Sequence, residues 1–204
     1  MTLSIALLGI LAGAIVAGAV TITQLVDRLH TLEQQAITDA LTGAFNRRHF
    51  TECLQMAIER RTRFGEPVCL VLFDVDRFKE INDGLGHPTG DAVLKALVVL
   101  THRSIRTLDL LFRTGGEEFA VLLPGTTIQG ALELAEQLRA LVAAWRPIDG
   151  LSMSISVGVS ELRRGQSSLE WIGDADRALY DAKRAGRNRV AAAPLTSSAT
   201  QVAV

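Results

Sequence analysis

The run "PVCLVLFDVD", Pro67–Asp76, constrains this chain most. An unbroken apolar stretch of this length reads as a buried strand, and it ends in two acids, Asp74 and Asp76. A strand holds such acids rigidly and opens them to solvent at its carboxyl edge, where layered α/β folds bind ligands. Helical and extended patterns alternate around it. "NRRHFTECLQMAIERRTRFG" is amphipathic and ends in glycine, and "HPTGDAVLKALVVLTHRSIR" is helical. "LLFRTGG" and "EEFAVLLPG" read as two strands around a tight turn. "TIQGALELAEQLRALVAAW" predicts a helix, "LSMSISVGVSE" a strand, and "SLEWIGDADRALYDAKRAGRNRV" a last helix with a polar exit. Buried strands between helices predict an α/β (α+β) layer fold with about one domain's worth of chain.

The 204 residues carry 21 Lys+Arg against 22 Asp+Glu, so no global field favours a nucleic acid polymer as partner. The two cysteines, Cys53 and Cys69, match no metal spacing, and a reduced, cytosolic environment is the simplest fit. The charges are unevenly placed. Met1–Val26 contains no Asp, Glu, Lys, Arg or His, and about 20 apolar residues cross a bilayer core. Residues 1–26 therefore predict a retained transmembrane anchor; the alternative is a buried helix of a soluble protein. Arg28, Arg47 and Arg48 follow the span and no Lys or Arg precedes it, which puts the C-terminal side in the cytoplasm of a single-pass inner-membrane protein. Gly9, Gly13 and Ala17, with Ala14 and Gly18, have the small-residue spacing that lets membrane helices pack closely. Leu25, Leu29, Leu32 and Ala36 form a short heptad stripe, so residues 27–38 predict a helical, coiled-coil linker. "TDALTGAFNRR" then breaks the helix, with Asn46 as the cap of the next one. The tail, residues 192–204, lacks pattern and charge and predicts disorder.

"RTGGEEF", Arg113–Phe119, sets two glycines beside two repelling acids. It reads either as an exposed turn or as part of a metal–phosphate site. Asp74 with Glu117 and Glu118 makes the small carboxylate set that Mg²⁺ takes alongside phosphate oxygens. At Gly115 and Gly116 a bulky side chain would block a phosphate. Lys183 and Arg187 stand at helical i, i+4 spacing, and Lys79 follows the acidic strand end. Asn82, His87 and Asp91 lie in a Gly-rich stretch read as a loop, and Asn with Asp suits the donors and acceptors of guanine. Each piece also has an ordinary reading, as turn residues or a solvated helix face.

Together "DALTGAFNRR", "FDVDRFKEINDGLGHPTGD", "RTGGEEF", "SISVGVS" and "ADRALYDAKRAGRN" resemble the GGDEF-domain family, the diguanylate cyclases, over about residues 37–191, with the domain itself at 39–191. The resemblance implies a palm-like nucleotidyl cyclase core with a five-stranded central sheet flanked by helices. It implies condensation of two GTP into cyclic di-GMP and two pyrophosphates, with Mg²⁺ or Mn²⁺, by a homodimer. Asp74 and Glu117 would hold metal with the Val75 carbonyl, and Glu118 would support them. Glu117 would activate the 3′-hydroxyl beside the Gly115–Gly116 hairpin. Asn82 and Asp91 would bind guanine, while Lys79, His87, Lys183 and Arg187, with the backbone at Arg77 and Phe78, would serve the phosphates. Arg106 and Asp109 of "RTLD" match the family's inhibitory product site, although the supporting helical positions read Glu133 and Gln137, with Arg139 nearby. A degenerate domain that binds GTP or cyclic di-GMP without turnover is the alternative. Retention of Asp74, Gly115, Gly116, Glu117 and Glu118 favours an active enzyme.

Overall fold

The computed structural model describes residues 15–28, 32, 37–146 and 151–194. The chain divides into two compact units between Ile37 and Thr38. In the first, residues 15–28 are helical (α1), and Ile15, Val16, Val20 and Ile22 are exposed on it. Most of the span read as an anchor, and Leu29 and Ala36 of the heptad stripe, lie outside the described residues. Among the described residues, no helix is long and apolar enough to cross a membrane.

The second unit runs β1 (Phe45–Asn46), α2 (Arg47–Phe64), β2 (Val68–Val75), α3 (Phe78–Leu85), α4 (His87–Ser104), β3 (Leu110–Arg113), β4 (Glu118–Pro124), α5 (Ile128–Ala144), β5 (Ile155–Glu161), α6 (Ser168–Arg184) and β6 (Val190–Ala192). The strands form one sheet in the order β1-β3-β4-β2-β5-β6, with β2 central and antiparallel to both β4 and β5. The expected five strands are corrected to six. The edge strands β1 and β6 are two and three residues long and add in parallel to β3 and β5. Segments that short carry no periodicity, so only the neighbouring edge defines them. Ala192, the first residue of the tail read from 192 to 204, belongs to β6. Val190–Ala192 is a strand, and the Ala193 N–H donates to the Val159 carbonyl at 2.8 Å. The rest of that tail, residues 195–204, lies outside the described residues.

Period-2 alternation splits the core into two layers. Cys69, Val71, Phe73 and Val75 of β2 face α3, α4 and α5, together with Phe119, Val121 and Leu123 of β4. Val68, Leu70 and Leu72 face α2 and α6, where Leu54 and the fully buried Trp171 pack. At Gly158 of β5, a Cβ would stand 2.3 Å from the Ala175 carbonyl oxygen and from the Leu179 nitrogen. Only glycine lets α6 lie this close to the sheet, and that approach delivers the helix's carboxyl end to the end of β2. Local capping agrees with the sequence. The Asn46 side chain accepts from the His49 N–H, and Ser167 with Glu170 completes a capping box on α6.

Candidate active site at the carboxyl end of the central strand

Asp74, near the end of β2, pairs in register with Glu118 of β4 and Ser156 of β5. Asp74 continues the series Val68, Leu70, Leu72 that faces α2 and α6, and Glu118 the series Ala120, Leu122, so both carboxylates lie on that face of the sheet. Glu117 sits in the turn, and its carbonyl accepts the Val75 N–H at 3.4 Å. Asp74 is 7% exposed. Burial pushes its carboxyl above the ordinary range, and Lys183 pulls it back, while the charges of Glu117 and Glu118 push the same way as burial. The Lys183 ammonium lies 2.9 Å from Asp74 Oδ2. Among the described residues, no three His, Cys, Asp or Glu side chains are gathered as a preformed metal group. The chemistry nevertheless fits a hard divalent cation: three carboxylates share one field, and a cationic side chain occupies the buried one.

The two glycines of the hairpin differ. A Cβ on Gly116 would meet no atom within 4 Å, so space for a ligand is open there. A Cβ on Gly115 would lie 2.3 Å from Glu118 Oε2, so this glycine makes room for the protein's own carboxylate. Arg113, which the sequence reading left without a role, braces the hairpin. Its guanidinium donates to the Gly116 carbonyl at 2.7 Å and to Asp39 Oδ1 at 2.9 Å. Asp39 in turn accepts from the Thr42 N–H and hydroxyl. Burial raises the Asp39 carboxyl, but the bonds from Thr42 and Arg113 outweigh it and leave the group below its ordinary value.

The expected nucleotide residues lie on two helices rather than in a loop. Asn82 belongs to α3, while His87 and Asp91 open α4, and only Gly86 separates the two. Asn82 Oδ1 is buried with no hydrogen-bond partner, an acceptor left for something else to satisfy. His87, Asp91, Lys79 and Arg77 are exposed at this end of the sheet, and the Phe78 side chain is buried, which leaves its backbone for a ligand. Lys183 and Arg187 do not share a helical face. The helix ends at Arg184, and Arg187 and Asn188 take left-handed φ values of 63° and 45°. The Arg187 N–H returns to the Ala182 carbonyl at 3.1 Å.

That exit is held by Asp76, a residue the sequence singled out without a role. Its oxygens accept the hydroxyls of Ser154 and Ser156, each at 2.6 Å, and the Asn188 N–H at 3.0 Å. Serines at alternate positions of "SMSIS", facing an acid, were the available signal. Asp176 of α6 was missed altogether. Desolvation and then the charge of Glu118 raise its carboxyl, against the pull of Lys183.

The RTLD residues stand at the opposite end of the sheet. The Asp109 carboxylate accepts the Arg106 N–H at 2.7 Å, and the Asp109 N–H donates to the Arg106 carbonyl at 3.0 Å. The segment is a self-closed turn with Asp109 buried and Arg106 exposed. Beside it, Met56, Arg60, Leu108, Leu110 and Pro124 line a cleft of about 300 Å³. Glu133 bonds Gln129, and Arg139 is engaged by Glu136 and Asn188.

The family profile described as "Diguanylate cyclase, GGDEF domain" matches residues 36–189. The chain belongs to the GGDEF family. It is 41% identical over 166 residues to diguanylate cyclase DgcP of Pseudomonas aeruginosa, covering 79% of this chain and 25% of DgcP. The coiled coil and GGDEF domain of DgcB from Caulobacter crescentus, solved in complex with c-di-GMP, superposes with a TM-score of 0.75 at 31% identity, over 90% of this chain and 99% of that one. The active GGEEF domain of a diguanylate cyclase from Vibrio cholerae superposes with a TM-score of 0.71 at 35% identity, over 74% of this chain and 98% of that one. The chain spans between 25% and 40% of the length of DgcP and two further curated relatives. GGDEF diguanylate cyclases use divalent metal ions, and the carboxylates at the end of β2 are where this chain has donors for one.

Proposed function

We propose that the chain is a diguanylate cyclase that condenses two GTP into cyclic di-GMP and two pyrophosphates. The observation that carries this reading is the register pair Asp74–Glu118 under the open GGEEF hairpin, in a chain of the GGDEF family. Asn82 Oδ1, buried without a partner, accepts from the N1–H and 2-amino side of guanine, and Asp91 on the adjoining helix accepts beside it. Lys79, His87, Lys183 and Arg187 offer positive charge to the phosphates, and Arg77 and Phe78 offer backbone. Glu117 takes the proton of the 3′-hydroxyl. That oxygen bonds to the α-phosphorus of the second GTP as the bond to the β-phosphate breaks and pyrophosphate leaves. Asp74, Glu117 and the Val75 carbonyl, with Glu118 in support, would hold Mg²⁺ or Mn²⁺, which would supply charge neutralisation of the triphosphate and a lowered pKa for the hydroxyl.

One domain carries one such site, so the second GTP arrives on another copy and the working form is a homodimer. The uncharged stretch from Met1 to Val26, with Arg28, Arg47 and Arg48 after it, supports a single-pass inner-membrane anchor that leaves the domain in the cytoplasm. Ile15, Val16, Val20 and Ile22, exposed on α1, agree with burial in lipid or in a helical dimer. The exposed Arg106 on the RTLD turn supports product inhibition, weakened by Glu133 and Gln137 where arginines commonly assist.

The test is incubation of purified, demonstrably dimeric protein with GTP and Mg²⁺, with products separated by chromatography. Cyclic di-GMP is expected, and its absence overturns the proposal. Glu117→Gln is expected to abolish the product with an unchanged circular dichroism spectrum, and near-normal turnover by it overturns the assignment of Glu117.

A further inference from the structure

Lys183 stands where a lysine reserved for phosphates has no need to be. Its ammonium lies 2.9 Å from Asp74 Oδ2, with side-chain exposures of 32% for Lys183 and 10% for Asp74. The carboxylate is fixed by its strand, whereas the ammonium rides on a flexible stem with access to solvent. Glu117 and Glu118 bear on Asp74 as like charges, so the three carboxylates need a countercharge, and Lys183 supplies it. A divalent ion on Asp74 would set a second cation against the same carboxylate, and at contact distance in a partly desolvated site the two repel. The displaced ammonium has another anionic position on its own helix. Asp176 lies two turns earlier on the same face and feels both Lys183 and Glu118.

We propose that Lys183 is a resident cation of the carboxylate site, paired with Asp74 while the site is vacant and displaced by the divalent ion toward Asp176 and the nucleotide's phosphates. The proposal rests on the reading of Asp74 as a metal ligand. Without nucleotide, the metal must break an ion pair. With nucleotide, the released ammonium gains phosphate partners, so metal and nucleotide bind with positive, reciprocal coupling.

The test titrates Mn²⁺ alone into nucleotide-free full chain and follows free Mn²⁺ by its paramagnetic resonance signal. Lys183→Met is expected to bind Mn²⁺ about fivefold or more tightly than the parent. Lys183→Arg, which keeps the charge, is expected to match the parent. The affinity gained by adding a non-hydrolysable GTP analogue is expected to shrink in Lys183→Met. Circular dichroism verifies the fold, and Lys183→Gln carries the same test if the methionine variant is unstable. If Asp74→Asn abolishes Mn²⁺ binding but the uncharged Lys183 variants bind no tighter than the parent, the metal reading stands and the resident-cation role falls. If Asp74→Asn leaves Mn²⁺ binding intact, the metal reading fails and the role falls with it.

Discussion

Asp74, near the end of β2, and Asp76, just past it, sit two residues apart and do opposite work. Asp76 spends both oxygens on Ser154, Ser156 and Asn188, which tie the start of β5 and the exit of α6 to the end of β2. Asp76→Ala leaves two hydroxyls and a backbone N–H without their acceptor. It is expected to cost about 3 kcal/mol or more of unfolding free energy by denaturant titration. A cost below about 1 kcal/mol would mean that water replaces the carboxylate. At Asp74, by contrast, burial disfavours the charge and the Lys183 ammonium favours it. Gly90 acts at the same scale. A Cβ there would lie 2.0 Å from Asn82 Oδ1 and 3.0 Å from the Phe78 ring. Gly90→Ala is expected to weaken GTP binding by about tenfold in calorimetry, as expected when one hydrogen bond to the base is lost, while better helix propensity of about 1 kcal/mol offsets the local strain. Unchanged affinity would show that Asn82 does not read the base.

At the scale of elements, the hairpin between β3 and β4 is tied to the turn that precedes β1. Arg113 binds both Asp39 and the Gly116 carbonyl, so the segment leaving residue 38 is joined to the GGEEF turn by one guanidinium. Asp39 has its folded pKa lowered by Thr42 and Arg113 against burial. Its stabilising contribution is therefore present above the ordinary carboxylate value and is lost as pH falls through the depressed folded value. Asp39→Asn is expected to lower the melting temperature at pH 7, with the gap to the parent closing as the pH falls toward 3, and to lower kcat more than it raises KM. A gap independent of pH would remove the charge of Asp39 from the account. The hairpin itself was legible, because two apolar runs flank a glycine pair. The helix from His87 was legible as well, but the helical placement of Asn82 on α3 was not. Glycine density suggested a loop, yet α3 and α4 flank Gly86, whose φ of 82° makes the sharp turn.

For the whole molecule, one domain carries one candidate site, and the proposed reaction joins two nucleotides. Activity per subunit is therefore expected to fall on dilution, in step with the dimer fraction seen by light scattering. Constant specific activity through the range where monomer dominates would contradict a dimeric catalyst. Edge strand β6 also belongs to this scale. It covers the outer edge of β5, the strand that carries Ser156 of the Asp76 cluster and is entered through Ser154.

The helices α2, α4, α5 and α6, the strands β2 to β5 and the motifs that place the chain in its family were readable along the chain. Hydrophobic period, caps and turns are local properties, set within a few residues. The partners of Asp76 include Asn188, 112 positions away. The ammonium on Asp74, the brace from Arg113 to Asp39, the departure of Arg187 from its helix and the two edge strands likewise depend on groups far apart in sequence. No spacing rule reaches those pairs, because the sheet register and the close approach of α6 at Gly158 set which atoms meet.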